Sequence, residues 1–134
     1  MQISFLSPNP DLLSFLIYLC GSLNTKNIVY MNRKELVKRL KYMIKSVAPN
    51  SQTILYGSEA RGEAKQNSDI DILILVDKDT VSPMEEDVIT APIYDLEIET
   101  GTIISPIVMT RKAWEAAKRK TVFYYNVMKD GVLL

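Results

Sequence analysis

Leu55-Tyr56-Gly57-Ser58-Glu59-Ala60-Arg61-Gly62-Glu63-Ala64-Lys65-Gln66-Asn67-Ser68-Asp69-Ile70-Asp71-Ile72-Leu73-Ile74 decides the fold. It leaves an apolar run, Gln52 to Tyr56, turns at a Gly-Ser pair, crosses a polar stretch and enters a second apolar run, Ile70 to Val76, that opens on two carboxylates. Read as strands, these runs alternate their side chains, so Asp69 and Asp71 share one face while Ile70, Ile72 and Ile74 take the other. The near-continuous apolar character of Ile70 to Val76 implies cover on both faces, with helices packed on at least one of them. The expected fold is an α/β (α+β) layered domain.

Two acids at this spacing are unsuited to packing. Bare, they repel and raise one another's pKa, and a divalent cation between them removes the conflict. Magnesium suits such a pair, because it takes one or two carboxylates and completes its octahedron with phosphate oxygens and water. Gly57 lets the backbone come close to a ligand, and Ser58 stands where unsatisfied N–H groups at a helix start meet incoming negative charge. Arg61 adds a possible triphosphate contact; Lys65 reads as part of a solvated helix face. Alone, a Gly-Ser pair is an ordinary turn and Asp-x-Asp an ordinary strand end. Together, on two apolar strands with ten intervening residues, they bring a phosphate site and a metal site to one corner.

Working outward, Arg33 to Ser46 follows Asn32, a good N-cap, and puts Leu36, Val37, Leu40, Met43, Ile44 and Val47 on one stripe. Pro49-Asn50 ends that helix. Beyond Asp77-Lys78-Asp79 a polar connection is expected, then a short helix from Pro92 to Thr100 with proline at its first position and Gly101 past its end. Thr102 to Met109 reads as a third strand, at an edge or bulged at Pro106, which lacks a ladder donor. Thr110 should cap a last helix running from Arg111 through Phe123 to about Lys129.

The chain has 134 residues with 16 basic and 16 acidic side chains, a size that fits one domain and a balance that offers no net field for nucleic acid or an anionic membrane. No polynucleotide substrate is indicated. With one cysteine and no histidine, internal disulfides, zinc clusters and imidazole catalysis are excluded. Cys20 lies in an apolar run without a basic neighbour and reads as inert. Leu12 to Leu23 is too short to span a bilayer and has no preceding positive charge to make it an export signal, so a cytoplasmic protein is expected. Residues 1–30 are expected to be an extension outside the functional chain, with the domain at 31–134.

Gly57-Ser58-Glu59-Ala60-Arg61-Gly62-Glu63-Ala64 followed by Ser68-Asp69-Ile70-Asp71 resembles the signature of the minimal nucleotidyltransferases of the DNA polymerase β superfamily. The resemblance extends from about Arg33 to Lys129 and is specific between Gly57 and Asp71. It implies a small mixed β-sheet flanked by helices, and transfer of a nucleoside monophosphate from ATP or another nucleoside triphosphate to a hydroxyl, with release of pyrophosphate. It further implies that Gly57 and Ser58 hold the triphosphate and that Asp69 and Asp71, the catalytic acids, ligate one or two magnesium ions. Small proteins of this family are often similar to antitoxins that adenylylate a HEPN-type toxin, and the apolar, aromatic tail Phe123 to Met128 is either such an interface or ordinary helix packing.

The family's third acid lies on the next strand. Here Thr102 to Met109 carries none, Ser105 or a neighbour takes its place, and Asp95, Glu97 and Glu99 read as the solvent-facing side of the preceding helix. The alternatives to a transferase are therefore an antitoxin that acts by binding and a nucleotide-binding module with a vestigial site.

Overall fold

The computed structural model describes residues 31–134; the expectations for residues 1–30, Cys20 included, lie outside the described residues. Helix α1 (Arg33–Val47) starts on a capping box, in which Asn32 accepts the Glu35 N–H at 3.0 Å and the Glu35 carboxylate returns to the Asn32 N–H at 3.4 Å. Its Leu36, Leu40 and Ile44, one per turn, are buried. Strand β1 (Gln52–Tyr56) runs into the single turn of helix α2 (Gly57–Ala60), and strand β2 (Ile70–Val76) follows the polar loop.

The sheet is mixed, with β2 antiparallel to β1 and parallel to β3 (Ile104–Thr110). The short β4 (Val132–Leu133) pairs antiparallel with β1, giving the order β3-β2-β1-β4. One face of β2, with Ile70, Ile72, Ile74 and Val76, packs with Leu36, Leu40 and Ile44 of α1 and with Ile89, Ile93 and Leu96 of α3 (Pro83–Thr100). On the other face Leu73 and Leu75 meet Trp114, Tyr124 and Val127. Cover on both faces is what the sequence of β2 requires.

Three elements differ from the sequence expectation. Helix α3 begins at Pro83, not Pro92. Ser82 and Glu85 form a second capping box with proline just inside it, so the start signal lies nine residues upstream of the expected one. Pro92 is accommodated inside the helix, where the bond it removes is to the carbonyl of Val88, whose side chain is 59% exposed. Gly101, with φ of 69°, closes the helix as expected.

The last helix is broken in two, α4 (Arg111–Ala116) and α5 (Val122–Asp130), each capped by a threonine, Thr110 and Thr121. Packing explains the break. The rings of Trp114 and Tyr124 lie 4.7 Å apart, whereas ten residues along one helix would separate them by about 15 Å. Arg119, with φ of 58°, sits in the turn between them.

Strand β4 was not expected, and Gly131 makes its entry: a Cβ there would stand 2.3 Å from the Val127 carbonyl oxygen. Strand β3 does lie at an edge of the sheet described, as Pro106 predicted. Because the Ile70 N–H bonds the Ile103 carbonyl at 2.9 Å, the alternate residues Ile104, Pro106, Val108 and Thr110 turn their backbone outward. Pro106 therefore sacrifices no bond to β2.

Candidate active site

Strand β2 ends its buried run where the sheet face opens, and Asp71 is the first side chain of that open end, on the face of Leu73 and Leu75. Across β1 its register partner is Tyr56, and the chain turns at the next residue. Gly57 adopts φ of 74°, and a Cβ built there would lie 2.6 Å from Oδ2 of Asp71. The glycine is thus required twice, by its left-handed backbone and by the carboxylate pressed against it. The Gly57 corner and the second acid do meet.

Burial holds the Asp71 carboxyl above the usual carboxylate range, and the nearby negative charge of Asp69 adds to the rise. Burial, with the Asp71 charge second, also raises the Tyr56 phenol. The Asp69 charge thus reaches the Asp71 carboxyl and disfavours its ionisation, a condition that a bound cation relieves. Ser58 is the second residue of α2, a single turn whose first N–H groups have no helical partner.

Arg61 is engaged on the rim. Its Nε donates to Glu63 at 2.8 Å and its Nη1 to Asp130 at 3.1 Å, and with Gly57, Tyr56, Phe123, Asn126 and Lys129 it lines a groove of about 410 Å³. A phosphate that used Arg61 would compete with those two carboxylates. A separate apolar hollow between Val47, Val76, Met84 and Val88 lies at the other end of β2 and takes no part in this corner.

Arg33 had no role in the sequence reading beyond opening a helix. Its Nε donates to Glu59 at 2.6 Å, and its two other nitrogens reach the carbonyls of Gln66 at 3.3 Å and Asp69 at 3.5 Å. One guanidinium thereby ties the turn that carries Ser58 to the loop that delivers Asp69. The signal was present: a cation in the first turn opposes the helix dipole, so it needs another reason to stand there. Ser68 pins the same loop by accepting the Lys65 N–H at 2.8 Å.

On β3 the register partner of Asp71 is Ser105, so a hydroxyl stands on the neighbouring strand beside the acid. The three acids that precede β3 on α3, Asp95, Glu97 and Glu99, separate. Asp95 is exposed, Glu99 holds Arg39 of α1 through two bonds of 2.7 and 2.9 Å, and Glu97 accepts the Ile104 N–H at 3.1 Å. Glu97 is therefore an anchor for the start of β3 and not a solvent-facing side chain.

A family model described as a nucleotidyltransferase domain matches residues 33–126. The chain belongs to the nucleotidyltransferase family. This nucleotidyltransferase is 31% identical over 106 residues, 78% of its own length and 99% of the other's, to a Methanocaldococcus jannaschii protein provisionally named a protein adenylyltransferase. Among solved structures it is similar to one provisionally assigned as a minimal nucleotidyltransferase, with a TM-score of 0.54 and 18% identity over 79% of this chain and 99% of that one. It is also similar to a chain of a toxin–antitoxin crystallised with AMP-PNP, with a TM-score of 0.51 and 19% identity over 76% of this chain and 72% of that one. These structural likenesses show a shared fold. Among the described residues no helix is long and apolar enough to cross a membrane.

The donor set fits magnesium to the extent of two carboxylates. Among the described residues no group of three or more metal-type side chains gathers, so any further ligand positions fall to water, phosphate or a partner.

Proposed function

We propose that this nucleotidyltransferase transfers AMP from ATP to a hydroxyl of a protein or small molecule, with magnesium, releasing pyrophosphate. The observation that carries the reading is the Asp71 carboxylate lying against Gly57, which joins the acid pair to the turn suited to phosphate. Asp69 and Asp71 would hold the magnesium, one ion or two, and Gly57 and Ser58 the triphosphate, with Arg61 a contact if it exchanges its carboxylates for phosphate. The acceptor oxygen forms a bond to the α-phosphorus, the bond to the bridging oxygen of pyrophosphate breaks, and the hydroxyl proton passes to a carboxylate of the pair or to water. Magnesium supplies positive charge against the charge developing on the phosphates.

A protein acceptor is favoured by the names of two relatives, a protein adenylyltransferase and a toxin–antitoxin chain, and by α5; a HEPN-type toxin is the class of partner that the sequence resemblance implies. That helix buries Tyr124 and Val127 while leaving Val122, Tyr125 and Met128 exposed, so its tail serves packing on one side and offers an apolar stripe on the other. Incubation with α-labelled ATP and magnesium, with and without candidate acceptors, tests the reading. Label transfer and pyrophosphate release that vanish in Asp69→Asn are expected; neither signal above that of the variant would sink it.

Ser105 beside Asp71 favours a second reading, in which the site binds nucleotide and the protein neutralises a toxin by association. Under that reading Asp71→Asn leaves neutralisation intact.

A further inference from the structure

A second groove lies at the opposite end of β1, about 17 Å along the strand from Gly57. Its volume is about 600 Å³, and it is lined by Lys41, Tyr42 and Lys45 of α1, Gln52 and Thr53 of β1, and Arg111 at the start of α4. Its polar groups are biased toward donation. Neither lysine makes an ion pair among the described residues, and no aspartate or glutamate lines the groove. Arg111 donates through Nη1 to the Gln52 Oε1 at 2.8 Å, which leaves its remaining N–H groups and the Gln52 amide NH2 as further donors. The Ser51 hydroxyl, also in the lining, already donates to the Ala48 carbonyl. Tyr42, 63% exposed, supplies a ring on the rim that stacks on no other ring among the described residues, and Leu133 an apolar wall.

Three cations, Lys41 and Lys45 of α1 and Arg111 of α4, line this one groove without a carboxylate among its lining residues. Ammonium and guanidinium donors lining one groove are the chemistry that takes phosphate oxygens, and an exposed aromatic ring beside them takes a base. The volume matches a ligand of mononucleotide size. We infer that this groove is a second site, for a nucleoside phosphate, with the phosphate on Lys41, Lys45 and Arg111 and the base on Tyr42. It needs neither the acid pair nor magnesium, and so stands independently of the proposed transfer.

The test is amide NMR of the whole protein titrated with AMP in EDTA, with inorganic pyrophosphate as a second probe. Saturable shifts are expected at the Thr53, Arg111 and Leu134 amides with both probes, unchanged in Asp71→Asn. The double variant Lys41→Gln/Lys45→Gln should lose at least about tenfold in affinity for each probe. Tyr42→Ala should weaken AMP and spare pyrophosphate. Shifts confined to the Tyr56–Asp71 corner, or equal binding by the lysine variant, would overturn the site. Unchanged AMP affinity in Tyr42→Ala would overturn its nucleoside character.

Discussion

The two faces of β2 alternate along one strand of seven residues and do opposite things. The face of Ile70, Ile72 and Ile74 is closed completely by α1 and α3, while the other is closed by rings over Leu73 and Leu75 and then stops, leaving Asp71 half-buried at its end. One face fixes where the strand lies and the other uses that position. A two-residue period lets a strand carry both jobs without compromise, because a change on one side does not pass through the other.

Asp71→Asn is expected to have the largest effect on the open face. Transfer should fall about a thousandfold or more, since the lost charge is worth several kcal/mol in the transition state. Stability of the metal-free protein should move the other way. Burial and the Asp69 charge raise the Asp71 pKa, so removing that ionisation should leave the midpoint equal to the parent's or higher. Parallel activity assays and thermal melts check both; a large loss of stability would mean that the faces are not independent.

Ile72→Ala tests the closed face. Ile72 is fully buried, so the variant should lose about 2–5 kcal/mol in denaturant melts, with activity per folded molecule near that of the parent. Gly57→Ala falls between the faces, since it strains a left-handed residue and pushes a methyl into the Asp71 carboxylate. About 1–3 kcal/mol of stability and about a hundredfold in transfer should go together.

Arg33→Gln should be milder, with an increase of about tenfold in the magnesium needed for half-maximal rate, because it loosens the Asp69 loop without touching the carboxylates. The smallest effect belongs to Glu85, exposed at the start of α3. Its bonds to Lys78 and Ser82 lower its pKa from 4.5 to about 2. A depressed carboxylate stabilises the fold above its unfolded value and loses that contribution as pH falls toward about 2. Melts of parent and Glu85→Gln should differ slightly near neutrality and converge across that acid range.

The parts legible in the sequence were those whose cause is local. Gly57 and Asp71 lie fourteen residues apart on two strands joined by one loop, and the alternation of β2 fixed the face of its acids. Helix α1 was legible from its cap and stripe. The start of α3 was misplaced because two prolines offered the same signal, and only Ser82 and Glu85 separate them. The break between α4 and α5 comes with the packing of Trp114 against Tyr124, which periodicity cannot register. Arg33 reaching the Asp69 carbonyl, and Lys41 sharing a groove with Arg111, join residues far apart in the chain and leave no spacing to read.

Pro106 turns a backbone position without a donor toward the outside of β3. An incoming strand from another molecule would find a missing rung in the middle of that margin, so the sheet resists lengthening by recruitment of its own kind. The rim beside Ser105 and Asp71 can then remain uncovered, and open to a visiting substrate, without becoming a seed for aggregation.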